Sequence, residues 1–192
     1  MLYTISLYLH ILGALTLFFA IGIEWMCLVN IRKSETRESI LTWLSCFSIL
    51  KKIFPIAFFL LLIPGIYMMT EIWVDAAWAI FGIIGLLSLS ISGSVLSGKK
   101  MIAIKKEAVQ GGDKLPLSGL LQKVRDKYFW NSFLIRGFAA AGIVFLMTFK
   151  TDLVDSVIVL AVSVFLGYLA GLMTKAPVKI LEPEISQESV QL

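Results

Sequence analysis

The chain has 192 residues, of which 58% are apolar, and its mean hydropathy is +0.89. Soluble domains are about 45 to 50% apolar, so this composition excludes an ordinary soluble domain and indicates a membrane protein. The length suits one helical bundle, because several membrane spans leave no room for a separate globular domain. The formal net charge is +4, and the placement of the basic residues explains it without a nucleic-acid partner.

Five apolar segments, each bordered by charged or turn-forming residues, are long enough to cross a bilayer, whose hydrocarbon core needs about 20 apolar residues. They are residues 3–30, 53–71, 77–98, 129–149 and 153–174. The sequence therefore predicts an all-α fold, a polytopic membrane bundle of five transmembrane helices. We expect residues 1–175 to form a single transmembrane domain and residues 176–192 to form a flexible cytoplasmic tail.

The basic residues predict how the bundle is oriented. If the five spans alternate in direction, all of the 17 Lys and Arg residues except Arg136 and Lys150 lie on one side. By the positive-inside rule that side is cytoplasmic, so the N-terminus is expected outside and the C-terminus inside. The expected partners are membrane lipids, with a homo-oligomer or a partner in a membrane complex left open.

Two further segments have the spacing of amphipathic helices. The first lies between the first two spans, and its apolar positions are Ile40, Leu41, Trp43, Leu44, Phe47 and Leu50. This pattern predicts a helix lying in the cytoplasmic membrane interface. A weaker pattern from Leu117 to Tyr128 suggests a second such helix before the fourth span.

Three ionisable residues within the predicted spans are candidates for a buried site: His10 and Glu24 in the first, and Arg136 in the fourth. A charge near the centre of a span costs about 2.5 to 3.5 kcal/mol, so such residues are usually paired and often functional. Glu24 and Arg136 are expected at similar depths, which predicts an ion pair between them. The alternatives are that both snorkel to the interface, or that Arg136 holds an anionic headgroup, a propionate or a substrate.

His10 is the only histidine, and Gly13 lies one turn away on the same face of the first span. The glycine leaves space beside the imidazole, which suits either a flat cofactor or a closely packed backbone. His10 is therefore a candidate ligand for a metal or a haem, with Arg136 as an anion anchor. The alternative is a histidine hydrogen-bonded to a neighbouring helix.

Serines recur along the third span, and Ser90, Ser94 and Ser97 form a row on one helix face. They are expected to line a polar pocket near Glu24 and Arg136, or simply to allow close helix packing. In the second span, adjacent Pro64 and Gly65 predict a kink.

The opening stretch Leu9-His10-Ile11-Leu12-Gly13-Ala14, followed by Phe18 and Gly22, resembles the first helix of a bacterial membrane superfamily. That superfamily includes the copper-resistance D proteins, the J-type protoporphyrinogen oxidases and short members of unknown function. The second span is similar too, with Pro55 leading to Gly65-Ile66-Tyr67. The resemblance implies a helical bundle in the inner membrane and, for the oxidases, a haem b held by the histidine that corresponds to His10.

Two function classes follow. The first is a non-enzymatic membrane component, either an accessory subunit or a small carrier of a solute or ion. The second is a membrane redox protein that binds haem b or a metal through His10. Since the chain has only one histidine, a bis-histidine haem within one subunit is excluded. The short members of unknown function are therefore the closer comparison, and the first class is favoured.

Overall fold

The computed structural model describes residues 1–110 and 117–174. Within these residues the chain forms seven α-helices and one π-helix. In chain order they are α1 (Leu2–Lys33), α2 (Arg37–Ile72), α3 (Ala77–Ser92), the π-helix (Gly93–Gly98), α4 (Lys99–Gln110), α5 (Leu117–Val124), α6 (Lys127–Phe149) and α7 (Leu153–Met173). The tail predicted at 176–192 lies outside the described residues.

Five helical segments are long and apolar enough to cross a membrane, which confirms the predicted number of long apolar helices. They are Leu2–Lys33, Arg37–Ile72, Ala77–Val109, Gly119–Phe149 and Leu153–Met173. Side-chain caps begin several of these helices. Asp126 accepts a hydrogen bond from the backbone N–H of Tyr128 at the start of α6, and Asp152 accepts one from Asp155 at the start of α7.

The predicted interfacial helix after the first span does not form a separate element. Residues 40–50 are the first half of α2, which continues without a break into the second span. Ile40, Leu44 and Leu50 are at most 2% exposed and belong to the core of the bundle. The structure thus shows no separate interfacial helix at residues 40–50. The apolar spacing that predicted one is also explained by burial against other helices, because an apolar helix face has the same spacing whether it packs on lipid or on protein.

The third span also continues further than its sequence border. The pair Lys99 and Lys100 does not end the helix, which runs from α3 through the π-helix into α4. In α4, Met101, Ile104 and Ala108 are buried while the lysines stay exposed. The helix is therefore amphipathic beyond the predicted membrane border.

The main hydrophobic core lies at one end of the bundle, which we call the basic end. It comprises the end of α1, the first half of α2, α4, α5 and the start of α6. Trp25 contacts both Trp130 and Phe133 there, with ring centroids 5.4 Å apart in each pair, and the Arg32 guanidinium lies 4.5 Å from the Trp130 ring. The amphipathic pattern of α5 is explained by this core, since Leu120 and Val124 are buried in it.

Away from the basic end, the helices pack as two groups. Helix α1 packs mainly on α2, whereas α6 packs on α7 and α3. At the end of the bundle opposite to the basic end, the Lys150 ammonium lies 4.1 Å from the Trp73 ring, which connects the α6–α7 turn to the α2–α3 turn. Two cavities lie between the two groups of helices.

Candidate functional site

Glu24 and Arg136 form a buried ion pair that joins α1 to α6. The carboxylate Oε1 of Glu24 lies 3.0 Å from Nη2 of Arg136, and the two side chains are 3% and 14% exposed. The same Nη2 donates a hydrogen bond of 2.6 Å to Oγ of Ser97. The structure thus brings together the two residues that were expected to pair, and adds one serine of the predicted row to them.

The π-helix places this serine and makes room for the guanidinium. A Cβ at Gly93 would lie 2.8 Å from Nη1 of Arg136, so the glycine lets the end of the Arg136 side chain lie close to the helix backbone. π-Helical turns within α-helices are frequent at functional sites. Nε of Arg136 is buried and makes no hydrogen bond. The guanidinium therefore keeps one unsatisfied buried donor beside its ion pair.

The ion pair lines a cavity of about 540 Å³, which we call the Arg136 cavity. Its wall comes from α1, α2, α3, the π-helix, α4 and α6 and is mostly apolar. Its charged and hydroxyl-bearing residues are Glu24, Lys51, Ser90, Ser94, Lys99 and Arg136. Ser90 and Ser94 therefore line the same polar region as Glu24 and Arg136, whereas Ser97 is only 1% exposed and bonds to Arg136 behind this wall.

His10 makes the contact expected of a histidine bonded to a neighbouring helix. Its Nδ1 donates a hydrogen bond of 2.9 Å to the backbone carbonyl of Leu61 in α2. The imidazole also lies against Gly65, where a Cβ would be 3.1 Å from both Nδ1 and Cε1. The proton is thus held on Nδ1, which leaves Nε2 as the nitrogen with a free lone pair.

A second cavity of about 530 Å³, which we call the His10 cavity, lies beside this histidine. Met68, Met69 and Met147 line it together with many other apolar side chains. Leu17, Leu86 and Leu89 line both cavities, so a layer of leucines separates the two. His10 and Arg136 therefore belong to different sites.

The space beside Gly13 is filled by protein. A Cβ on this residue would lie 2.8 Å from the backbone carbon of Leu60 and from the backbone nitrogen of Leu61. This contact matches the closely packed backbone that was the alternative for Gly13, because a small residue admits a neighbouring backbone as readily as a flat ligand. The cofactor role of Gly13 stays a prediction. The three residues predicted to hold a haem, His10, Gly13 and Arg136, do not form one site.

Metal ligands are sparse in the part of the chain that the structure describes. No group of three His, Cys, Asp or Glu side chains lies close enough there to hold a metal ion. Cys27 is buried and Cys46 is partly buried, and both are free thiols.

Comparison with known protein families, curated proteins and solved structures finds no match to this chain. The similarity of Leu9–Ala14 to the copper-resistance D and protoporphyrinogen oxidase superfamily stays a prediction from those residues. The geometry of the two cavities is therefore the main indication of function.

Sequence reasoning did not identify Lys51 and Lys99 as residues of a site. Both were used only to orient the spans, yet both line the Arg136 cavity. The sequence did contain a signal for such a role. Each lysine lies near the end of a predicted span, in a segment that also carries polar or small residues. The π-helix had no comparable signal beyond the glycines at its two ends.

Proposed function

We propose that the protein is a non-enzymatic, multi-pass membrane protein that binds and carries a small solute in the Arg136 cavity. One observation supports this most strongly: the ion pair of Glu24 and Arg136 lines an open cavity. An ionisable residue within a span that faces a cavity is a candidate for contact with a substrate or an ion. The pair is the polar feature that would orient such a solute.

Energetics favour this proposal over a purely structural role. Removing two charges from water is expensive, and well-packed apolar residues of similar volume often stabilise a protein at least as well as a buried ion pair. The unsatisfied Nε of Arg136 adds a further cost. Binding sites for small molecules are typically apolar clefts of about 300–1,000 Å³ with a few polar groups, and the Arg136 cavity matches that description.

The distribution of charge supports an orientation in the membrane. The loops and helix ends at the basic end carry most of the lysines and arginines. By the positive-inside rule this end faces the cytoplasm, with the N-terminus outside and the C-terminus inside. The resemblance of Leu9–Ala14 to a bacterial superfamily implies that this membrane is the inner membrane of a bacterium. The Arg136 cavity then lies on the cytoplasmic half of the bundle.

The test measures whether a water-soluble solute reaches the Arg136 cavity. Ser94 lines the cavity and is exposed, whereas Val95 is 45% exposed and is not part of the cavity wall. Ser94→Cys and Val95→Cys are made with Cys46→Ser, reconstituted in nanodiscs and treated with anionic 2-sulfonatoethyl methanethiosulfonate. We expect Ser94→Cys to react about ten times faster, because a basic cleft concentrates anions.

The two engineered cysteines lie at the same depth in the bundle. A difference between their reaction rates therefore reports on access to the cavity and not on exposure at that depth in general. The parent protein with Cys46→Ser measures any reaction of buried Cys27. Equal, slow rates at positions 94 and 95 would show that solutes do not enter the cavity, and the proposed function would then be abandoned.

His10 gives a second candidate function, a haem- or metal-linked redox protein. Metal-ligating histidines usually donate their second ring N–H to a carbonyl or carboxylate, as Nδ1 of His10 does to Leu61. The His10 cavity also offers thioethers from Met68 and Met69, and His/Met pairs hold iron in some haem proteins. If a haem or metal binds, Nε2 of His10 would hold it while Nδ1 of His10 keeps its proton. The bound group would supply the electron-transfer chemistry.

A visible absorption spectrum of the purified protein tests this second candidate. A redox role predicts a Soret band, or stoichiometric metal, that His10→Ala removes. The control is Tyr8→Ala, which changes an exposed residue of the same helix outside both cavities. A colourless, metal-free preparation from cells supplied with haem precursors and metals would eliminate the redox candidate.

A further inference from the structure

We propose that the ligand of the Arg136 cavity is an anionic amphiphile that places one hydrocarbon chain inside the cavity. This inference rests on the proposed function and names the chemical class of the solute. Four features of the cavity support it: its charge, its apolar interior, its opening and its position along the bundle.

The charged residues of the cavity wall favour an anion. Lys51, Lys99 and Arg136 are positive, and Glu24 is the single negative residue. Since Glu24 is paired with Arg136, the two lysines are left as uncompensated charges of the wall. The wall thus carries a net charge of two positives, which attracts an anionic head and repels a cationic one.

The rest of the cavity wall suits a hydrocarbon chain. Phe54, Phe58 and Phe59 of α2 line it together with Leu86 and Leu89 of α3. Gly137 also lines it, and a Cβ there would meet no other atom within 4 Å, so this glycine leaves open space. A fully polar ligand would leave the apolar surface unused, whereas an acyl or prenyl chain would fill it.

The cavity opens at the lateral surface of the bundle. Phe59 and Ile102 both line it, yet they are 55% and 53% exposed. Part of each side chain therefore faces the cavity and part faces the surroundings. Phe59 lies within the predicted second span, where the surroundings are lipid, whereas Ile102 lies just beyond the predicted third span. An amphiphile can enter from the bilayer without leaving the apolar phase.

The lysines lie where the head of a membrane amphiphile would lie. Lys51 precedes the predicted second span and Lys99 follows the predicted third span, so both are expected at the membrane interface. Leu17, Leu86 and Leu89 close the other end of the cavity, deeper in the bundle. Head and chain would thus have the orientation of a lipid in the cytoplasmic leaflet, where basic pockets between spans bind anionic heads.

The experiment compares two probes that differ only in the head group. The full-length protein is reconstituted in phosphatidylcholine nanodiscs with a diazirine-bearing C16 fatty acid or with the corresponding C16 alcohol, and is then irradiated. We expect the acid to label the protein about tenfold more than the alcohol. Mass spectrometry should find the label on peptides that contain Phe54–Phe59 or Leu86–Ser94.

Charge variants test the lysines directly. The double variant Lys51→Gln, Lys99→Gln should lower labelling by the acid about tenfold and leave labelling by the alcohol unchanged. The matched control is Lys52→Gln, Lys105→Gln, which removes the same charge from exposed lysines outside the cavity wall. The control should keep the full preference for the acid.

A competition experiment on the unmodified protein keeps the proposal testable if the double variant does not fold. Dodecyl phosphate should reduce labelling by the acid probe, whereas dodecyltrimethylammonium should not. Equal labelling by acid and alcohol, or equal losses in the two double variants, would overturn the proposal. If either of these results is found and Ser94→Cys still reacts rapidly with the methanethiosulfonate reagent, only the proposed ligand class is refuted. If Ser94→Cys reacts slowly, the proposed function is refuted as well.

Discussion

Replacing Arg136 by methionine is expected to destabilise the protein by about 3 to 5 kcal/mol, because it leaves Glu24 as an uncompensated charge in a buried site. Glu24 is only 2% exposed, so its carboxylate depends mainly on the guanidinium for compensation of its charge. The hydrogen bond from Arg136 to Ser97 is lost as well. The free energy of unfolding can be measured by steric trapping in bicelles.

A surface ion pair gives the matched control. Lys123 and Glu107 also form a contact of 2.6 Å, but the lysine side chain is 59% exposed. Lys123→Gln should therefore change the free energy of unfolding by about 0–1 kcal/mol. The exchange of Glu24→Arg with Arg136→Glu should be more stable than either single change. A double exchange no better than the single changes would show that the two residues do not interact.

Gly13→Ala is expected to destabilise the protein by about 1 to 3 kcal/mol, because the new methyl group overlaps the backbone of α2. Its Cβ would lie 2.8 Å from backbone atoms of Leu60 and Leu61, and a backbone cannot move aside as a flexible side chain can. Separation of α1 from α2 would also lengthen the hydrogen bond from His10 to Leu61. Thermal unfolding monitored by circular dichroism, calibrated against steric trapping, measures the loss.

Gly22 is the control for this substitution. It lies in the same helix, and a Cβ there would meet no other atom within 4 Å. Gly22→Ala should be neutral or slightly stabilising, by up to about 1 kcal/mol, because alanine has the higher helix propensity. Similar losses at positions 13 and 22 would mean that helix propensity, and not the contact between α1 and α2, determines the result.

The two substitutions probe different connections in the bundle. Gly13 lies within the pair formed by α1 and α2, whereas the contact of Glu24 with Arg136 joins this pair to the group that contains α6. The core at the basic end joins the same two groups through aromatic contacts of Trp25. The Arg136 cavity lies beside this junction, so a ligand bound there would contact both groups of helices.

The sequence was sufficient for the spans and for the ion pair. Apolar segments of this length favour helices, because in an apolar environment each backbone group must find its hydrogen-bond partner within the segment. Glu24 and Arg136 could be matched because a buried charge in a span is costly alone, and opposite charges at similar depth reduce that cost. The expected depth follows from counting residues along each helix.

The tertiary structure decided what each helix face packs against. Residues 40–50 have the pattern of an interfacial helix, but Ile40, Leu44, Phe47 and Leu50 are buried in the protein core. Gly13 contacts a backbone where a cofactor was also conceivable. The π-helix and the position of Lys51 and Lys99 on the cavity wall likewise depend on neighbours far away in the chain. Periodicity and composition determine which face of a helix avoids water. Only the packing of the helices determines whether lipid, protein or a cavity meets that face, because all three accept the same apolar pattern.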